Sequence, residues 1–287
     1  TVLLLFGGMD LFDALTHTFG TLATGGFSPK NASVGHFQSA YIHVVITVFM
    51  MAAGVNFILY FKLLTGKFED IARNTEVRFY LGIFAIATVI IALNLYGNTF
   101  QTVGESLRYA GFQAASVLTT TGYATADFDV WPATAKIVLF LLMFIGGCSG
   151  STGGGIKVVR IVTLRRQGFT EMKYLIHPNG IFSIHMSGEK VKKNIVYSIL
   201  GFVILYFVML FFITFVVSTG GNDIVTSFSA SLVTVGNIGP GFGKIGPTLN
   251  YAFFPAYIKW FLSFAMMIGR LEVYTVLVLF TPKFWKR

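Results

Sequence analysis

Charge is scarce in this chain. Only 11% of its 287 residues are Asp, Glu, Lys or Arg, while 54% are hydrophobic and 16% aromatic. A soluble domain carries about a quarter charged residues, and a core of this size has no room for so much apolar surface. That excludes a soluble globular domain and points to an integral membrane protein. Acidic residues are the scarcer sign, 12 against 21 Lys and Arg, for a formal charge of +9. In a soluble chain this excess would suggest nucleic acid; in a membrane chain it is an orientation signal, and no nucleic-acid partner is expected. A single cysteine, Cys148, excludes an internal disulfide framework. An initiator Met and a signal-peptide pattern are also lacking, and the opening stretch TVLLLFGG is far short of the ~20 residues of a span. The chain therefore reads as a fragment that begins part-way through a membrane helix.

Uncharged runs of spanning length lie at 41–61, 79–96, 137–156 and 194–217, and a fifth, 257–282, is interrupted by Arg270 and Glu272. All five are expected as helices. Between them, 10–22, 103–117 and 223–233 are amphipathic and about half the length of a span. Each leads into a short uncharged stretch centred on Thr and Gly: TLATGGFS (21–28), VLTTTGYATADF (117–128) and LVTVGNIGPGFG (232–243). The repeating unit is helix, re-entrant half-helix, extended stretch, helix, and such repetition means copies around an axis. The fold class expected is all-α and membrane-integral, with boundaries at 1–64 (first helix truncated), 65–165, and 166–287 including a linker.

A polar, glycine-rich backbone at membrane depth persists only where it lines a water-filled path or is buried in protein. Three recurrences point to a cation filter built from main-chain carbonyls. A half-helix aiming its C-terminus at the membrane centre offers unpaired carbonyls and the negative end of its dipole, and glycine tolerates the angles that turn the next carbonyls inward. The candidate filter residues are Ala23, Thr24 and Gly25; Thr120, Thr121 and Gly122; and Thr234, Val235, Gly236 and Asn237, with Gly25, Gly122 and Gly236 as the equivalent glycines. External Gly/Ser/Thr loops are the bland alternative. Asp10, Asp13, Glu105 and Asp223 open the half-helices, where attraction of cations and simple N-terminal capping are both open.

Six of the ten residues from Gly146 to Gly155 are glycine, each costing a helix about 1 kcal/mol against alanine. This break is a candidate gate made of Gly146, Gly147, Gly150, Ser151, Thr152, Gly153, Gly154 and Gly155. It is not a phosphate loop, because Lys157 is followed by Val158 rather than Ser or Thr. The string Gly147-Cys148-Ser149-Gly150 resembles an intramembrane serine protease motif, but no histidine has an evident pairing with Ser149. Packing through small residues is the remaining alternative. Arg270 lies inside the last run, where an arginine faces a cavity or a partner; placed below the filter it would form a barrier or bond the 146–155 carbonyls. A structural ion pair with an unidentified acid stays open, Glu272 pointing to a different face.

Fifteen of the twenty-one basic residues fall on 62–78, on 157–193 and at Lys283, Lys286 and Arg287, all on the connections that follow the second helix of a unit. The positive-inside rule puts these in the cytoplasm and the filter mouth outside.

The stretches ATGGFS, LTTTGYATADF, GGCSGSTGGGIKVVR, EMKYLIHPNGIF, VGNIGPGFG and GRLEVYTVLVLFTPKFW together resemble the TrkH family of potassium-uptake subunits, within the Trk/Ktr/HKT superfamily, along nearly the whole chain. The resemblance implies four units around a pseudo-fourfold pore, of which this chain holds units two to four. It implies potassium uptake with K+ as the transported ion and no organic cofactor, Gly25, Gly122 and Gly236 as filter glycines, 146–155 as the intramembrane gate and Arg270 as the arginine beside it. It further implies a bacterial inner-membrane homodimer bearing a cytoplasmic ring of TrkA-type nucleotide-binding subunits on the basic loops 62–78 and 157–193. Selectivity in the superfamily involves the first unit, so a sodium-permeable relative remains open. The expected function is cation passage through a channel-like pore with no covalent chemistry. The rival is a secondary transporter working by alternating access, whose sign would be inverted repeats with paired interruptions, whereas here only one spanning run carries a glycine break.

Overall fold

The computed structural model describes residues 1–286; Arg287, counted above with the basic residues, lies outside them. Helices dominate: α1 (Val2–Phe6), α2 (Leu11–Leu22), α3 (Ala40–Ala53), α4 (Phe57–Leu64), α5 (Phe68–Ala72), α6 (Thr75–Leu95), α7 (Val103–Leu118), α8 (Ala133–Leu142) and α9 (Val158–Ile176). A two-stranded hairpin follows, β1 (His185–Met186) and β2 (Glu189–Lys190), then α10 (Lys193–Ser218), α11 (Ile224–Val235), α12 (Ala256–Leu271), α13 (Val273–Leu279) and α14 (Pro282–Trp285).

The half-helices are α2, α7 and α11, within a residue or two of the expected bounds. Two are capped by acidic residues and the third by a threonine. Asp10 accepts from the Asp13 amide at 2.6 Å, Asp223 from the Thr226 amide at 3.1 Å, and Thr102 Oγ1 accepts from the Glu105 amide at 3.2 Å while donating to the Glu105 carboxylate at 2.9 Å. Asp13 also pairs with Lys30 at 3.0 Å. Though short, α7 and α11 are wholly buried in their C-terminal halves, from Ala110 to Leu118 and from Ser229 to Val235. Around them, α10 turns Ile204, Val208, Phe211, Phe212 and Phe215 outward, each more than half exposed. An outward apolar face of that kind belongs in lipid, in keeping with a membrane-integral fold.

Among the described residues, α6 and α10 are the unbroken helices long and apolar enough to cross a membrane. Here the structure corrects the expectation of continuous helices over 41–61 and 257–282. The first bends by 96° between α3 and α4, the second by 112° between α12 and α13. The third run, 137–156, ends as helix at Leu142, so all three second helices are interrupted rather than one. At the first break, Gly54 closes α3 and Asn56 caps α4 through the Ile58 amide at 2.9 Å. The backbone groups freed there find partners in the glycine loop: Cys148 N donates to Gly54 O at 2.8 Å and Phe57 N to Gly150 O at 3.2 Å. At the last break Glu272 adopts a φ of +66° and its carboxylate meets Arg160 at 2.6 Å.

Candidate functional site: three loops over a glycine-rich plug

Each half-helix ends in the same way. The amides of Thr24, Thr120 and Asn237 return to the carbonyls of Thr21, Val117 and Thr234, and those of Gly25, Thr121 and Ile238 reach Gly20, Ser116 and Val233, at 2.8–3.2 Å. Gly26 and Gly122 add a further bond to Gly20 and Ser116, both 3.3 Å. Positive φ angles repeat in step: +51°, +56° and +54° at Thr24, Thr120 and Asn237, then +65°, +88° and +106° at Gly26, Gly122 and Gly239. Ala23, Thr119 and Gly236 are the equivalent C-caps.

This register differs from the expected one. Gly122 corresponds to Gly26 and Gly239, not to Gly25 and Gly236. Gly25 stands level with Thr121 and Ile238, Gly236 is a helix cap at φ −73°, and Thr234 and Val235 are the last residues of α11. Ile238 and Gly239, which hold the positions of Thr121 and Gly122 in the third loop, are not among the candidate residues, and Gly26, not the expected Gly25, is the equivalent glycine of the first loop. The signal that would have found them is the residue after the glycine, Phe27, Tyr123 and Pro240, bulky in each loop.

The loops pack around one another in a fixed sense. A Cβ added to Gly26 would collide with the Thr121 carbonyl, and one added to Gly122 with the Ile238 carbonyl and Pro240 Cδ. The Thr121 and Ile238 carbonyls, each one position before a positive-φ glycine, thus fill the space that a side chain on the preceding loop would need. Ties fix the spacing: Ser116 Oγ donates to Tyr123 O at 2.6 Å, the Tyr123 hydroxyl reaches Phe27 O at 3.3 Å, and Tyr251 Oη donates to Gly239 O at 2.6 Å. All three loops line one cavity of about 680 Å³, bordered also by Arg270. At the start of α11, hydrogen bonds from Thr226 hold the Asp223 carboxyl below its ordinary value.

Beneath the helix ends lies the 143–157 segment, a noose closed at its base. Gly146 N donates to Ile156 O at 2.6 Å, Ile156 N to Phe144 O at 3.2 Å, and Val158 N to Gly147 O at 3.2 Å. Its tip reaches the residues of the repeating register. Thr24 Oγ1 donates to Thr152 O at 2.9 Å, and the Gly154 amide donates to Thr120 Oγ1 at 2.6 Å. Thr152 Oγ1 donates to the helix-end carbonyls of Leu22 at 3.1 Å and Ala53 at 3.3 Å. An added Cβ on Gly154 would collide with Gly236 O, and one on Gly153 would press on Thr119 O at 3.1 Å, so glycine at 154 lets the segment rise against the α11 terminus. Arg270 donates to Thr152 O at 2.5 Å and lines both the 680 Å³ cavity and a second one of about 350 Å³ across the noose. Lys157 donates to Gly153 O. The cations thus sit under three helix C-termini, whose carbonyls carry partial negative charge. Glu272 pairs with Arg160, not with Arg270.

Comparison with known proteins follows the same pattern. A family model described as "TrkH: Cation transport protein" matches residues 6–287. The Trk system potassium uptake protein TrkH of Salmonella typhimurium is 39% identical over 283 residues, covering 98% of this chain and 58% of the relative. TrkG of Escherichia coli K12, likewise a Trk system potassium uptake protein, is 32% identical over 280 residues, 97% of this chain and 57% of the relative. The crystal structure of the potassium transporter TrkH from Vibrio parahaemolyticus superposes with a TM-score of 0.93 at 35% identity, over 99% of this chain and 61% of that one. The chain therefore spans less than two thirds of the length of these relatives.

Proposed function

This chain belongs to the TrkH family of cation transport proteins, and from that premise we propose that it supplies units two, three and four of a potassium-uptake pore with a main-chain filter and an intramembrane gate. The units are 1–64, 65–165 and 166–287. One observation carries the reading: three loops share a single backbone register, pack carbonyl against glycine in one sense, and open on one cavity.

A dehydrated K+ needs several oxygens at once. Main-chain carbonyls at Thr121, Ile238 and Gly25, one position before each positive-φ glycine, are the ligands proposed, with the negative ends of α2, α7 and α11 holding the ion below them. The 146–155 noose is the gate, and Arg270 latches it through the Thr152 carbonyl. No covalent step is part of this reading. Alternating access is the weaker reading. Its broken helices are present, three of them, but the units repeat in one orientation and the breaks share one noose. We place the filter mouth outside a bacterial inner membrane and the basic loops in the cytoplasm, where a nucleotide-binding ring of the TrkA type would dock on a homodimer.

The test is rubidium, potassium and sodium flux into liposomes carrying the full-length protein. Wild type favours potassium and rubidium, Gly122→Ser loses the preference over sodium, and deletion of 150–155 raises flux without altering it. Unchanged selectivity in Gly122→Ser would refute the filter.

A further inference from the structure

The noose has an anchor that the filter and gate do not explain. Glu76, at the start of α6, is 8% exposed, and one oxygen of its carboxylate accepts two main-chain bonds. Ser149 N donates to Oε1 at 2.7 Å and Val159 N to the same oxygen at 3.0 Å. These two amides flank the tip of the noose. Val159 also lies in the first turn of α9, whose own N-cap, Lys157, makes no side-chain capping bond. A helix start leaves amides without internal partners and favours negative charge there, so Glu76 caps α9 from another helix while it ties down the descending limb of the noose.

A second connection starts one residue earlier. Thr75 N donates to Ser187 Oγ and Ser187 N donates to Thr75 Oγ1, both at 3.1 Å. Ser187 is in the turn of the β1–β2 hairpin, where Ser187 and Gly188 take φ of +49° and +90°. Arg166 of α9 donates to His185 O in the same hairpin. The hairpin thus grips α6 and α9, the two helices that Glu76 joins. Further along α6, the Tyr80 hydroxyl donates to Met51 O at 3.1 Å, close to the α3 break.

We propose that Glu76 is the positioning residue of the intramembrane loop, and that the 185–190 hairpin, docked on Thr75, is the lever through which the basic side of the protein acts on it. This rests on the gate assignment above. Movement of the noose away from the filter must either break the hydrogen bonds of the Ser149 and Val159 amides to Glu76 or carry the start of α6 with it. When α6 or α9 shifts, the hairpin, bonded to both, shifts with it, and a displaced hairpin loads Glu76 in return. The coupling is reciprocal by linkage.

The experiment uses the full-length protein in planar bilayers and liposomes. Glu76→Gln keeps the shape of the side chain and an acceptor but loses the charge that strengthens both bonds. It is expected to raise the open fraction roughly ten-fold, with unitary conductance and rubidium-over-sodium selectivity unchanged. A general structural defect would instead lower all three. Ser187→Ala, a surface change, is expected to shift the open fraction roughly three-fold in wild type and not at all in Glu76→Gln. Hydrogen exchange over 145–160 reads the anchor independently of transport: Glu76→Gln should expose the Ser149 and Val159 amides. An open fraction unmoved by Glu76→Gln, additive effects of the two substitutions, or unchanged amide protection would overturn the proposal. A wild type that conducts no alkali ion would instead sink the pore reading, leaving the amide measurement to judge the anchor.

Discussion

Alanine placed at Gly25 and at Gly26 separates the observed register from the one suggested by sequence alone. At Gly26, φ is +65°, a conformation that costs an L-residue about 1–2 kcal/mol. Its Cβ would also overlap the Thr121 carbonyl, which must then retreat by more than about an ångström from ordinary contact. Overpacking of that kind costs about 1–3 kcal/mol, so the local arrangement is disfavoured by about 2–5 kcal/mol in all. Because the displaced group is itself a proposed ion ligand, the loss appears as selectivity. Each ~1.4 kcal/mol is a factor of ten, so rubidium preference over sodium should fall ten-fold or more. At Gly25 the nearest atom to an added Cβ is Phe27 Cδ2 at 3.6 Å, ordinary contact, and φ is not positive. Gly25→Ala should therefore change stability by no more than about 0.5 kcal/mol and leave selectivity near wild type. The assay is competitive rubidium and sodium uptake into liposomes with the full-length protein at matched reconstitution. If Gly25→Ala abolishes selectivity and Gly26→Ala preserves it, the register drawn from the loop hydrogen bonds is wrong.

Arg270→Gln removes a charged donor from Thr152 O, and since such bonds contribute about 1.5–3 kcal/mol, the open fraction in bilayer recordings should rise about ten-fold or more. Gly154→Ala drives a Cβ into Gly236 O, so the noose cannot seat under α11; liposome flux should rise while selectivity, set above it, stays constant. At the start of α11, Thr226 holds Asp223 below its ordinary value of 3.8. A depressed carboxyl stabilises the fold fully above its unfolded value and loses that contribution as pH falls through the lower, folded one. Thermal denaturation of wild type should therefore lose a small increment on acidification below pH ~4 that Asp223→Asn lacks.

Parts of this architecture are legible in the chain because local chemistry decides them. The half-helices begin at Asp10, Thr102 and Asp223, residues whose side chains bond the next free amides, and end where Thr and Gly take over. Six glycines in ten residues break a helix wherever they are put. The register of the three loops is different, because Gly25 and Gly26 are adjacent and Gly236 and Gly239 are both available. Only the amide returning to Gly20, Ser116 or Val233 selects between them, and that is a fact of chain closure. The break at Gly54–Asn56 is less legible still. Nothing in an apolar run with one glycine requires an interruption, and at membrane depth each freed backbone group costs several kcal/mol without a partner. Its partners come from Cys148 and Gly150, some ninety residues downstream, just as the noose takes part of its own satisfaction from Gly54 and Ala53. Glu272 likewise keeps its positive φ beside Arg160 at the foot of the same noose. The interruptions are therefore one hydrogen-bonded unit. The bend at Gly54 and the glycine segment each supply the partners that let the other persist in a low-dielectric interior, which is why a reading that treats each run by itself finds the glycine break and misses the other two.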